Sequence, residues 1–284
     1  MLHVKMIDTH LHLWNPKVLR YAWLDENPLL NKAYLMQDYL EATKGILIEK
    51  AVFVQSECDP KQSEEEVKWV TGIASAFPVI QGIVAWAPVE IGYAARENYE
   101  RLLVNKLVKG VRQIIQFEKD IDFCLRPKFI EGVKALEEYD LHFELCISHV
   151  QLENTIELVK KCPNIRFVLD HIGKPDIKNG IDEPWKSQIK ILSQMKNVSC
   201  KLSGLVNEAK HHEWTKEELH PYLQHTIDCF GVDRVMYGGD WPVILMASEY
   251  KDWCSAFNSF IQGYSENEIA KICYKNADLI YRLD

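Results

Sequence analysis

The chain has 284 residues, a formal net charge of -8, 47% hydrophobic residues and 26% charged residues. That length suits one large domain or two small ones, and the composition is that of a globular chain able to bury a sizeable core. The acidic balance argues against nucleic acid, which wants a basic stripe; no apolar run approaches the roughly 20 residues that span a bilayer; and Met1–Met6 lacks the long apolar core of a secretory signal, so a cytoplasmic protein is expected.

Short apolar runs alternate with longer amphipathic stretches. The predicted strands are Val4–Ile7, Ala51–Gln55, Val79–Trp86, Val108–Ile114, Leu141–Ile147, Ile165–Asp170, Val198–Leu202 and Val235–Tyr237. Between them the pattern predicts helices over Met36–Ile48, Ser63–Phe77, Tyr93–Leu107, Pro127–Tyr139, Leu152–Lys161, Trp185–Met195, Lys216–Phe230 and Ser248–Ile261, with Glu266–Tyr281 closing the chain. Alternating strands and helices imply parallel pairing through crossovers. Eight such units predict an α/β chain folded as a single-domain (β/α)8 TIM barrel over residues 1–284. A doubly wound open sheet is the competing architecture. No Gly-x-Gly-x-x-Gly follows the first strand, which argues against a dinucleotide site of that kind. The eight cysteines include no Cys-x-x-Cys pair and read as small buried hydrophobes in a reducing compartment.

A barrel carries its active site on the rim formed by the C-terminal ends of the strands. Polar groups collect there. Strand one runs into His10 and His12, whose spacing of two puts both imidazoles on one side. Strand two ends in Gln55, with Glu57 beyond it. Strand four ends in Arg112 and Gln113, strand five holds Glu144 and leads to His149, and strand six ends in Asp170-His171. Strand seven carries Lys201 and Ser203, and strand eight leads to Asp240 through Gly238-Gly239. A carboxylate beside such a turn is well placed for a general base. Lys201 points inward and needs a partner, as a structural ion pair or as an anion clamp. The planar fork of Arg112 suits a substrate carboxylate or carbonyl. Two long loops follow strands one and seven. The first, Leu13 to Leu35, carries Trp14, Arg20, Tyr21 and Trp23. The second, Ser203 to Thr215, carries His211 and His212, which read as solvated.

Five segments together resemble a known family. They are Asp8-Thr9-His10-Leu11-His12-Leu13-Trp14, Gly110-Val111-Arg112, Leu169-Asp170-His171-Ile172-Gly173-Lys174-Pro175, Lys201-Leu202-Ser203-Gly204-Leu205 and Tyr237-Gly238-Gly239-Asp240-Trp241-Pro242. The set is similar to the amidohydrolase superfamily, and within it to the branch of sugar-lactone and pyrone-dicarboxylate lactonases. The resemblance covers nearly the whole chain. It implies a (β/α)8 barrel and a site of His10, His12, His171 and Asp240 around one divalent metal, zinc or manganese. Some members of the branch work without a required metal, the eighth-strand aspartate activating water by itself. Many superfamily members use a carboxylated lysine or a glutamate on strand four. Arg112 stands there instead, which speaks against a bridged binuclear centre.

The implied reaction is opening of a lactone ring by water activated at Asp240. His10, His12 and His171, with Lys201, would stabilise the oxyanion. Arg112, Gln55, Trp23 and Trp241 would hold a small-molecule substrate. Rhamnonate, fuconate, galactonate and pyrone-type rings all remain open. Metal-dependent decarboxylases of aromatic or muconate-type acids share the same residues and are the main alternative; the Lys-Leu-Ser-Gly and Gly-Asp-Trp-Pro segments lean toward lactonases. A non-catalytic sugar-acid binding protein is the alternative from another class. The outer helical faces leave room for a homodimer.

Overall fold

The computed structural model describes residues 4–180 and 182–283. Met1–His3, part of the stretch read above as lacking a signal core, lies outside the described residues. Eight parallel strands form one sheet in sequence order: β1 (Met6–Leu11), β2 (Ile48–Val54), β3 (Ile80–Ala85), β4 (Val108–Val111), β5 (His142–Leu145), β6 (Phe167–Leu169), β7 (Val198–Leu202) and β8 (Val235–Tyr237). The ring closes where β1 meets the end of β8. His12 N donates to Trp241 O at 2.8 Å, Asp240 N donates to His10 O at 2.8 Å, and Leu11 bridges Trp241 in parallel. This is the (β/α)8 barrel expected from the strand–helix rhythm.

The helices wrap the outside: α1 (Met36–Ala42), α2 (Ser63–Ala76), α3 (Arg96–Leu103), α4 (Pro127–Ala135), α5 (Leu152–Lys161), α6 (Trp185–Ser193), the short α7 (Leu205–Glu208), α8 (Lys216–Phe230) and α9 (Tyr250–Ile261). The C-terminal helix runs over the predicted Glu266–Tyr281, through α10 (Glu266–Ala270), a wide π turn over Lys271–Lys275 and α11 (Asn276–Tyr281). Among the described residues no helix is long and apolar enough to cross a membrane. All eight cysteines are free, and seven are buried.

Strand periodicity sorts side chains between two layers. Phe53, Ile83, Phe143, Phe167, Cys200 and Tyr237 face the helices in the main core. Ile7, Val52, Val54, Val84, Val168 and Met236 fill the barrel interior together with Ala277 and Tyr281 of α11. Helix α11 thus plugs one end of the barrel, and the other end is left to the site.

Two predicted helices fall well short of their patterns. The first stops at Ala42, ahead of Gly45 at φ 86°. The third begins at Arg96, because Gly92 at φ 73° interrupts the 3-10 turns of Val89–Ala95. Strand β1 is longer than predicted and contains Asp8 and Thr9 in its interior. Its pairing with β2 steps from Asp8↔Ala51 to Leu11↔Phe53, three residues against two. That bulge turns the strand between Ile7, which faces the barrel interior, and His10, which also does; strict alternation would put them on opposite faces.

Asp8 anchors the seam. Its carboxylate accepts from the backbone N–H of His10 at 3.0 Å and Gly239 at 2.7 Å. It also accepts from the hydroxyls of Tyr39 at 2.8 Å and Tyr250 at 2.9 Å. Burial pushes its carboxyl upward and these bonds pull it back, leaving it raised.

A second buried acid has a measurable consequence. Glu66 on α2 is 1% exposed and accepts from Tyr21 Oη and Ser56 N, each at 3.3 Å. Burial pushes its carboxyl up to about 8. A folded-state value above the unfolded one means its stabilising contribution is complete at acid pH and is lost as pH rises through about 8. Urea unfolding at pH 6 and pH 9 should therefore show wild type losing stability at the higher pH. Glu66→Gln should hold level, exceeding wild type at pH 9 by roughly 2–4 kcal/mol. Parallel losses in both proteins would refute this.

Candidate active site

The barrel mouth brings His10, His12, His171 and Asp240 together. His10 and His12 Nε2 lie 3.1 Å apart. Asp240 Oδ1 is 3.6 Å from His12 Nε2, 3.8 Å from His10 Nε2 and 3.9 Å from His171 Nε2. All four residues are buried. Two of them occupy left-handed backbone, His171 at φ 53° and Asp240 at φ 56°. Non-glycine residues are held there only when their surroundings impose it, and such positions cluster at functional sites.

The glycines beside them make the close packing feasible. Gly204 has φ 70°, and a Cβ on it would lie 2.5 Å from His171 Nδ1. Gly204→Ala should therefore push the imidazole out of place and lower kcat by on the order of 10²-fold. It should cost about 1–2 kcal/mol in a thermal melt. An Ala variant with wild-type kcat would show that His171 does not need this position.

Proton positions follow from partners. His12 Nδ1 is 2.8 Å from Val54 O, which only accepts, so Nδ1 carries the proton and Nε2 presents a lone pair to Asp240. His171 Nδ1 pairs with Ser203 Oγ at 2.8 Å. Burial lowers His171 to about 4, and it holds His10 well below its usual range with help from Lys201. Burial pushes Asp240 upward, but the neighbouring imidazoles, His171 foremost, outweigh it and hold the carboxyl well below its usual range. The site is thus an ionised carboxylate ringed by three imidazoles.

Behind this cluster lies a buried charge network. Lys201 Nζ donates to Glu144 Oε2 at 2.7 Å and stands 3.1 Å from Asp170 Oδ1 and 3.2 Å from His10 Nδ1. Arg112 donates from Nη1 to Asp170 Oδ2 at 3.1 Å and from Nη2 to Gln55 O at 2.7 Å, with Nη1 3.2 Å from His10 Nε2. Burial would raise Asp170, yet Lys201, His10 and Arg112 hold it well below its usual range. Glu144 Oε1 accepts from Tyr281 Oη at 2.5 Å and lies 3.5 Å from His142 Nε2.

These contacts assign several expected residues. Lys201 is fully buried on the Nδ1 side of His10 and paired with Glu144 and Asp170, an arrangement that suits the structural ion pair among its two readings. Trp241, expected against substrate, is buried between Tyr34 and Tyr39 at the seam. Gln55 is buried too. Its side chain donates to Glu57 Oε1 at 2.7 Å and accepts from Glu57 N at 2.7 Å, so what it presents at Arg112 is its backbone carbonyl. Trp23 is half-buried and donates its indole N–H to Ser56 O at 2.9 Å. His149 donates to Lys174 O at 3.0 Å, outside the cluster, and His211 and His212 are exposed.

Sequence reasoning gave Asp8 no role, although it adjoins His-x-His, because its partners Tyr39, Gly239 and Tyr250 are distant in sequence. It also missed Asn207, whose Nδ2 donates to Asp240 Oδ2 at 3.2 Å, because nothing in a polar loop marks one amide above another.

The donor set fits one divalent ion. Tetrahedral zinc ligands at 2.0–2.1 Å stand roughly 3.3 Å apart, close to the 3.1, 3.6 and 3.8 Å separations among His10, His12 and Asp240. The neighbouring trio His10, Asp170 and His171 differs, because its carboxylate is already matched by Arg112 and Lys201.

Barrel, His-x-His strand, sixth-strand histidine and eighth-strand aspartate define an amidohydrolase-type enzyme. The chain belongs to the amidohydrolase family, whose model (Amidohydro_2, Amidohydrolase) matches residues 7–283. It is 27% identical to an L-fucono-1,5-lactonase of Burkholderia ambifaria, over 98% of this chain and 96% of the other. It is 23% identical to an L-rhamnono-gamma-lactonase of Scheffersomyces stipitis, over 100% of both chains. Its structure is similar to that of an amidohydrolase from Burkholderia multivorans with bound zinc, at a TM-score of 0.88 and 25% identity, covering 99% of this chain and 100% of that one.

Proposed function

We propose that this enzyme hydrolyses a sugar-acid lactone to the open hydroxy acid. The observation that carries the reading is the Asp240 carboxylate, ionised and within 3.6–3.9 Å of three imidazole Nε2 atoms at the barrel mouth. The names of the two lactonase relatives support the substrate class. A ring bearing several hydroxyls suits the surroundings, where Glu57 offers a carboxylate near Arg112 and Glu208 another near Asp240.

In this reading Asp240 accepts a proton from water as the water oxygen bonds to the lactone carbonyl carbon. The carbonyl oxygen becomes an oxyanion, facing the imidazoles and the Arg112 guanidinium. As the carbonyl re-forms, the bond from carbon to ring oxygen breaks, and Asp240 returns its proton to that oxygen. Water is consumed and a hydroxy acid is released. His10, His12 and Asp240, with His171 beside them, would hold one divalent ion, zinc or manganese, and such an ion supplies Lewis acidity and a water of lowered pKa.

The test is a panel of 1,4- and 1,5-lactones of fuconate, rhamnonate and galactonate, with pyrone dicarboxylate, followed by proton release against a pH indicator. Saturable turnover of a sugar lactone supports the proposal. No turnover of any ring overturns it, and the next assay is then carbon dioxide release from aromatic acids with added divalent metal.

A further inference from the structure

Asn207 sits on α7, within hydrogen-bond reach of Asp240. The backbone of this helix is pinned from two sides: His211 Nε2 donates to Asn207 O at 3.1 Å, and Lys178 N donates to Glu208 O at 2.9 Å. The side-chain Nδ2 donates to Asp240 Oδ2 at 3.2 Å. A carboxylate only accepts, so the NH2 end of the amide must face Asp240 and the carbonyl end must face elsewhere. That carbonyl oxygen, Asn207 Oδ1, is shielded from solvent and has no hydrogen-bond partner among the described residues. A buried amide oxygen left without a donor is costly, and native structures rarely tolerate one without a reason. It stands one carbon atom from the nitrogen that holds Asp240, so a donor serving it would also be beside the carboxylate.

We propose that Asn207 positions the attacking water, with Nδ2 fixing the rotation of the Asp240 carboxylate and Oδ1 accepting the hydrogen that Asp240 does not take. With both hydrogens engaged, the water presents a lone pair to the lactone carbonyl carbon. This role rests on the lactonase reading.

The test is Asn207→Leu, close in shape and without either polar end, assayed beside wild type on a lactone that wild type opens. The expected result is a kcat lower by on the order of 10²-fold, with KM within about twofold, binding of the hydroxy-acid product unchanged by calorimetry, and an unaltered melting temperature. A kcat within about threefold of wild type overturns the proposal. A KM that rises while kcat holds overturns it too, since Oδ1 would then be gripping a substrate hydroxyl. A large fall in melting temperature accompanying the loss marks a structural role and overturns it equally. Wild type inert on every lactone overturns the lactonase reading and this role together, whereas an active wild type with an active Asn207→Leu variant overturns only the role.

Discussion

Asp240→Asn should lower kcat by on the order of 10³-fold or more while leaving the fold intact. The substitution keeps the shape of the side chain and removes the one charge able to accept a proton from water. Its backbone, at φ 56°, suits asparagine, which enters the left-handed region more readily than most residues. The Asp240 N–H bond to His10 O that closes the barrel involves no side-chain atom and should survive. The amide cannot take the proton, and it places a donor group among His10, His12 and His171 where an anion stood. KM should change little, because the loss falls on the chemical step. Steady-state kinetics with a circular dichroism melt provide the check. A variant retaining a tenth of wild-type kcat would remove Asp240 from the role of base.

Expectation and structure agree most closely where a short run is bounded by polar or turn-forming residues, as by Asn197 and Ser203 or by Arg234 and Gly238. Val198–Leu202 and Val235–Tyr237 fall where predicted, as do the helices over Leu152–Lys161 and Lys216–Phe230. Strand β1 departs because Asp8 and Thr9 look like the polar end of a strand. Their partners, Tyr39, Tyr250, Gly239 and Tyr237, are distant in sequence, and only the closed barrel supplies them. The gathering of His10, His12, His171 and Asp240 was legible because parallel strands deliver their C-terminal residues to one rim whatever the details of the loops. The bulge that aims His10 was not, since it depends on a register step between two strands. Nor was the strain at His171 and Asp240. The glycines beside them signal tight backbone, yet the left-handed residues include His171 and Asp240 themselves. Trp241 reads as a rim aromatic from its place after β8, and only packing shows it wedged among tyrosines.

Lys201→Met should destabilise the protein by about 3–5 kcal/mol, the usual cost of removing one partner from a buried ion network. For a chain of this size that corresponds to a fall of roughly 10 °C in melting temperature. The ammonium has no exposed surface, and it balances two carboxylates, Glu144 at 2.7 Å and Asp170 at 3.1 Å. Methionine fills most of the same volume, so the loss measures charge more than packing. Arg112 still supports Asp170, and Tyr281 still donates to Glu144, which keeps the variant foldable. The companion change tests the cause. In Lys201→Met/Glu144→Gln the uncompensated carboxylate is gone, and the Gln carbonyl can accept from Tyr281. The double variant should therefore be more stable than Lys201→Met alone, with a coupling energy of about 1–3 kcal/mol in the cycle. Additive losses would show that Glu144 is balanced by His142 and Tyr281 without the lysine. A Lys201→Met protein that melts with wild type would sink the structural assignment outright and return this lysine to the anion-clamp reading, to be pursued through KM. The predicted loss would instead make the barrel interior a charge-matched support: Lys201 and Arg112 neutralise Asp170, His10 is held between them, and among the described residues the only carboxylate in contact with the three imidazoles at the mouth and paired with neither cation is Asp240.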